Sequence, residues 1–194
     1  MAESATLSVA GVAVVLLMVI VIAAMVLIFA SRYKKVPPNK AMVVYGHMMP
    51  GGKGHMIIVA GGKFIYPVIE QYAFLPLDVR TLEIGFDDVT VDTAGGPRKA
   101  RVKATAMYKI GSDPAVLDAA AEHLLGKPDV EIERIARDIL EGALREMLST
   151  MDFEKVRTDR DAVALGIHQR ASDTLMNMGL EIRAFTFKEL TLKG

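Results

Sequence analysis

Hydrophobic positions are unevenly spread along this chain: one unbroken apolar block comes first, and everything after it is patterned. From Leu7 to Phe29 the residues read LSVAGVAVVLLMVIVIAAMVLIF, with no charge. As a helix those 23 residues would extend ~34 Å, against a hydrocarbon core of ~30 Å. The block predicts one transmembrane helix over residues 7–30, preceded by a short extracytoplasmic N-terminus at 1–6. A cleaved signal peptide would instead need a basic start and an apolar run of only ~7–15 residues. This chain begins Met1-Ala2-Glu3-Ser4, and its run is longer.

Behind the block, Val36-Pro37-Pro38-Asn39 enforces an extended path, because proline fixes φ and disfavours helix in the residue before it. Residues 31–40 are therefore expected to be a basic, proline-containing linker. Ala41 to Tyr45 reads as a buried strand, followed by a glycine-punctuated stretch to Gly62 with a second apolar strand at Met56–Val59. Phe64 to Phe74 is rich in large apolar and aromatic groups and broken by Pro67. Such a run either dips into the near leaflet or packs beneath the first sheet, and periodicity does not separate the two.

Alternation is clearest from Arg98 to Ile110. Ala100, Val102, Ala104, Ala106, Tyr108 and Ile110 fall on one face, with Arg101, Lys103, Thr105, Met107 and Lys109 on the other. Asp113-Pro114 opens a helix and Gly126 closes it. A second helix over about 128–148 places Ile132, Ile135, Ala136, Ile139, Leu140, Ala143, Met147 and Leu148 on one stripe. The pairs Glu133–Arg137, Arg134–Asp138 and Glu141–Arg145 lie opposite. Thr158 and Asp161 stand where a capping box would start a third helix ending at Gly179, and Leu180–Leu192 returns as a strand. Strands, then helices, then a closing strand predict an α+β fold.

Charge assigns a side of the membrane. Arg32, Lys34, Lys35 and Lys40 follow the span, whereas no basic residue precedes it. The positive-inside rule then places the N-terminus outside and residues 32–194 in the cytoplasm. Past Ala30 the chain carries 23 basic and 22 acidic residues, a net charge of +1. That balance gives no general attraction to nucleic acid. Cysteine is absent, which excludes disulfides, thiolate metal sites and a cysteine nucleophile.

Candidate chemistry is confined to the bilayer side. Arg32, Tyr33, Lys34, Lys35 and Lys40 are the first candidates for membrane contact, with anionic headgroups as the natural counter-charge. Phe64, Ile65, Tyr66, Val68 and Ile69 are the second set. Neither Gly51-Gly52-Lys53-Gly54 nor Gly61-Gly62-Lys63-Phe64 fits a phosphate-binding loop, since neither lysine is followed by Ser or Thr. His47, Met48, Met49, His55 and Met56 are ligand types suited to a soft metal, but a glycine-rich loop does not preorganise them. Adjacent Asp87 and Asp88 point to opposite sides if extended, so they read as a turn rather than an acid/base pair. No catalytic residue, cofactor or metal site is expected.

The order and spacing of several segments resemble the flotillins of the SPFH (band 7, stomatin/prohibitin/flotillin) superfamily. They are Val36-Pro-Pro-Asn-Lys-Ala-Met-Val-Val-Tyr-Gly46 after a span, Gly61-Gly-Lys-Phe-Ile-Tyr-Pro-Val68, Lys109-Ile-Gly-Ser-Asp-Pro114, Leu124-Leu-Gly126, Ile139-Leu-Glu-Gly-Ala-Leu-Arg145 and Met178-Gly-Leu-Glu-Ile-Arg-Ala-Phe-Thr186. The resemblance implies a membrane-apposed SPFH domain in two subdomains, here 41–90 and 91–192, whose copies assemble side by side and organise microdomains. Flotillins continue into a long Glu/Ala-rich coiled coil, whereas none of the three helices expected after the span offers three or four sustained heptads. Assembly is therefore expected between copies of this chain or together with longer SPFH proteins. The resemblance also implies an alternative role, a regulatory partner enclosing a membrane protease. A small hydrolase would require a pocket with converging polar groups and shifted pKa values.

Overall fold

The long strand predicted around residue 100 is the centre of the domain. In the computed structural model, which describes residues 2–46, 54–93, 96–151 and 153–192, it is β7 (Gly96–Ile110). It pairs antiparallel on one side with β6 (Arg80–Thr93) and on the other with β8 (Leu180–Leu192). The predicted alternation holds, with Ala100, Val102, Ala104, Ala106, Tyr108 and Ile110 all buried.

Strand β6 has no counterpart in the sequence reading, and its burial shows why. Leu82 and Ile84 are buried at even positions, but beyond Phe86 the buried residues are the odd ones, Val89 and Val91. The register shifts between Phe86 and Val89, so one β-bulge inverts the inward parity and hides the period of two. Asp87 and Asp88 lie at this bulge rather than in a turn. The Asp87 carboxylate is 3.0 Å from Nε of Arg101.

Helices cover one face of this sheet. Here α2 (Pro114–His123) starts at proline behind an extended Asp113, whose side chain makes no capping bond. α3 (Asp129–Thr150) buries Ile132, Ala136, Leu140, Ala143, Leu144, Met147 and Leu148. The Glu133–Arg137 pair forms at 2.8 Å, whereas Arg145 turns its guanidinium over the Phe86 ring, 4.8 Å from the centroid. A short helix, α4 (Phe153–Thr158), precedes α5 (Arg160–Asn177). This displaces the expected cap by one residue. Asp159 accepts from the Ala162 N–H at 3.1 Å, while the Thr158 hydroxyl donates back to the Glu154 carbonyl. Gly179, at φ +86°, returns the chain to β8, and a Cβ there would lie 2.3 Å from the Ala120 backbone, so glycine is required.

The first sheet has the order β3–β2–β5, with β2 Lys40–Gly46, β3 His55–Ile58 and β5 Glu70–Pro76. Its two faces have different partners. Ala41, Val43 and Leu75 join the core of the larger sheet and helices, whereas Met42, Val44 and Ile65 form a small separate core with Val36 and Ile58 packed against it. The division expected near residue 90 falls inside β6; the chain passes from the first sheet to the second at residues 77–79. That crossing is pinned by Leu77 N–H donating to the Asn39 carbonyl at 2.9 Å, and by Arg80, 2.8 Å from Asp129 at the start of α3. Burial pushes the Tyr108 hydroxyl pKa upward, with hydrogen-bonded Arg80 opposing it.

Candidate membrane-facing site

The apolar block folds as α1 (Ala2–Arg32), whose segment Gly11–Arg32 is long and apolar enough to cross a membrane. Within that segment no residue is buried. Its large apolar side chains from Val12 to Phe29 are 53–72% exposed. Thirteen of these are Val, Leu, Ile or Phe, and at ~0.3–0.6 kcal/mol each they favour insertion by about 4–8 kcal/mol. Arg32 ends the last turn, where a cation complements the helix dipole.

The helix does not hand over to a free linker. Tyr33, Lys34 and Lys35 form β1 (Tyr33–Lys35), antiparallel to β4 (Gly62–Phe64). Ile65 N–H donates to the Arg32 carbonyl at 3.0 Å and Val36 N–H to the Gly61 carbonyl at 2.9 Å, extending the pairing at both ends. Gly62 permits this close approach, since a Cβ there would come within 2.8 Å of the Tyr33 ring. The Phe64 ring packs 4.9 Å from Phe29 and 5.0 Å from Tyr33. An aromatic cluster thus ties the end of the apolar helix to the folded domain, and it unites residues about 30 positions apart that local periodicity cannot link.

The loop after Phe64 splits the second set of candidates. Ile65 is 4% exposed and belongs to the small core, so it is not available to lipid in this fold. Tyr66, Val68 and Ile69 project outward, Val68 with 94% of its surface exposed. The loop is braced from beneath by Glu70, itself 9% exposed. Its carboxylate accepts from Lys63 Nζ at 2.8 Å and from the Tyr66 N–H at 3.3 Å. Burial alone would raise the Glu70 pKa, but the Lys63 and Tyr66 bonds outweigh it and hold the carboxyl below its ordinary value.

A depressed carboxyl pKa stabilises the fold above the unfolded value, ~4.3 for glutamate, and that contribution is lost as pH falls through the folded value. Glu70→Gln is therefore expected to cost ~1–3 kcal/mol at neutral pH. The difference in Tm between wild type and variant should close on acidification. An equal difference at every pH would show that the ionised carboxylate contributes nothing.

Two aromatic residues outside the candidate set stand beside its lysines. Tyr72 and Phe74 lie two apart on β5, paired with Val44 and Met42 of β2, and their rings meet edge to face at 5.7 Å. Lys34 Nζ stands 5.9 Å from the Tyr72 centroid, and Lys40 Nζ the same distance from that of Phe74. Their period of two on a strand is the signal that would have found them. Arg32 and Lys35 are exposed.

Ion pairs line the far side of the domain. A groove of 440 Å³ on the outer face of the large sheet is lined by Glu83, Gly85, Phe86, Asp87, Lys103 and Lys188. Glu83 there binds Lys188 at 2.6 Å, which lowers its pKa, and Lys103 lies 3.5 Å from Glu189. Exposed ion pairs of this kind contribute little to stability. Of the soft-metal set, His47, Met48 and Met49 lie outside the described residues, as does most of the glycine turn around Lys53. His55 Nε2 is 3.4 Å from Asp118 on α2. Among the described residues no group of three or more His, Cys, Asp and Glu is placed to hold a metal.

The profile of the SPFH domain / Band 7 family matches residues 34–193, from the first strand after the helix almost to the end of the chain. The chain belongs to the SPFH/Band 7 family. Its SPFH domain is similar to curated relatives from bacteria and animals. Flotillin-like protein FloT of Bacillus subtilis (strain 168) is 32% identical over 179 residues, covering 88% of this chain and 35% of that protein. Flotillin-2 of Carassius auratus is 33% identical over 155 residues, 80% of this chain and 35% of the relative. Flotillin-1 of Homo sapiens is 34% identical over 155 residues, 79% and 35%. The chain thus spans about a third of the length of these flotillins.

Proposed function

We propose that this protein is a non-enzymatic scaffold, held in the cell membrane by α1 with its N-terminus outside and its SPFH domain on the cytoplasmic side. Copies pack side by side, alone or with longer SPFH proteins, and the resulting patch organises a membrane microdomain. The observation that carries this reading is an apolar helix, unburied from Gly11 to Arg32, joined without a free linker to the folded domain through Phe29, Phe64 and Tyr33. Such a junction holds the domain against the leaflet, where a lateral array multiplies weak lipid preferences. The basic residues on the domain side of the helix support the orientation, and the similarity to flotillins supports the class of function. Arg32, Tyr33, Lys34, Lys35, Lys40, Phe64, Tyr66, Val68 and Ile69 are the proposed membrane contacts.

Electron micrographs of the detergent-extracted full chain are expected to show rings or clusters of many copies, and light scattering a mass many times that of one chain. A lone monomer at every concentration would sink the proposal.

A further inference from the structure

We infer that the face of the first sheet on the anchor side is a docking surface for anionic phospholipid headgroups, built by Lys34 and Lys40 over Tyr72 and Phe74. The inference rests on the reading of the protein as a bilayer-anchored scaffold and names what its domain touches there.

Register orients the surface. Tyr72 and Phe74 pair with Val44 and Met42, so all four side chains share one face of the sheet. The opposite face, with Ala41, Val43 and Leu75, is closed by the main core. Over the shared face lie Val36 and Ile65, which directly continue β1 and β4, the strands attached to the end of α1. The aromatic pair is therefore on the side from which the anchor leaves.

Charge and exposure name the occupant. Both rings are 36% exposed, and each carries an ammonium group 5.9 Å from its centroid. Among the described residues neither lysine is paired with a carboxylate, unlike neighbouring Lys63, which Glu70 holds at 2.8 Å. An amphipathic ring such as that of Tyr72 settles at headgroup depth, the apolar Phe74 ring lies against it, and unpaired ammonium groups beside them attract lipid phosphates. Two cations on rings 5.7 Å apart make a site that a zwitterionic surface satisfies poorly and an anionic one well.

The chain contains no tryptophan, so Phe74→Trp supplies a single fluorescent reporter, with Tyr72→Trp as a second should the first misfold. The full chain would be placed in nanodiscs of brominated phosphatidylcholine with and without phosphatidylglycerol. Quenching and a blue shift are expected with phosphatidylglycerol and should weaken in neutral discs or high salt. Adding Lys34→Gln and Lys40→Gln should return the signal to the neutral level, a change of about fivefold in the docking equilibrium per lysine. Equal quenching in both lipids, or no response to the double substitution, overturns the inference. Val68→Trp separates this result from the anchored-scaffold reading. If Val68→Trp is quenched while Phe74→Trp and Tyr72→Trp are not, the headgroup surface is wrong and the membrane-apposed domain stands; if none is quenched, both are wrong.

Discussion

Replacing Leu17 and Ile20 together with arginine is expected to release the protein from membranes. Both lie within the stretch of Gly11–Arg32 that nothing in the domain shields. An arginine near the middle of a span costs ~2.5–3.5 kcal/mol, and each lost Leu or Ile removes a further ~0.3–0.6 kcal/mol, so the pair shifts insertion by about 6–8 kcal/mol. That matches or exceeds the 4–8 kcal/mol of favourable transfer estimated at ~0.3–0.6 kcal/mol per residue for the whole helix. Flotation on a density gradient reads the result, because inserted protein rises with lipid whereas aggregated protein sediments. Continued flotation of the double variant would mean that the domain surface, and not α1, holds the chain to the bilayer.

The second large effect is expected in the core where α3 crosses the main sheet. Leu140 is fully buried, so Leu140→Ala loses both transfer energy and packing and should cost ~2–5 kcal/mol. For a domain of this size that lowers Tm by about 5–15 °C. Leu165 on α5 is 59% exposed, and Leu165→Ala should stay within ~0.5 kcal/mol of wild type. Thermal unfolding of the detergent-solubilised chain, followed by circular dichroism, compares the two. A similar loss at both positions would contradict the assignment of faces to the helices.

Continuity between the layers has a mechanical consequence for the proposed scaffold. Ala41, Val43 and Leu75 bind the first sheet into the main core, while Ile65 and Val36 bind it to the strands beneath the helix. A force or a bound lipid acting on β1 and β4 is thus transmitted through packed side chains rather than through a slack linker.

Elements with an uninterrupted local period were legible from residues alone. The apolar helix, β7 with its strict alternation, the buried stripe of α3 and the return strand Leu180–Leu192 each announce themselves within one window, because side-chain direction repeats every 2 or 3.6 residues. The family resemblance was legible too, being carried by the order of short segments. Strand β6 was not, since the bulge at Asp87 and Asp88 reverses which residues face inward. Nor was the pairing of Tyr33–Lys35 with Gly62–Phe64, which turns an expected linker into a strand.

The proposed membrane-facing surface was half visible. Its basic residues and the outward Tyr66, Val68 and Ile69 stand out by composition, but Ile65 looks equally greasy and is buried, while Tyr72 and Phe74 look like core and are partly exposed. Which apolar residues end inside depends on what is stacked above them, and here that is a strand brought from about 30 residues away. By itself the sequence determined that an apolar rod leads into a nearly neutral α+β domain, because both follow from local period and charge. Only the tertiary structure decided which side of that domain meets the rod and which aromatics its lysines cover, because those depend on contacts between segments that no single window contains.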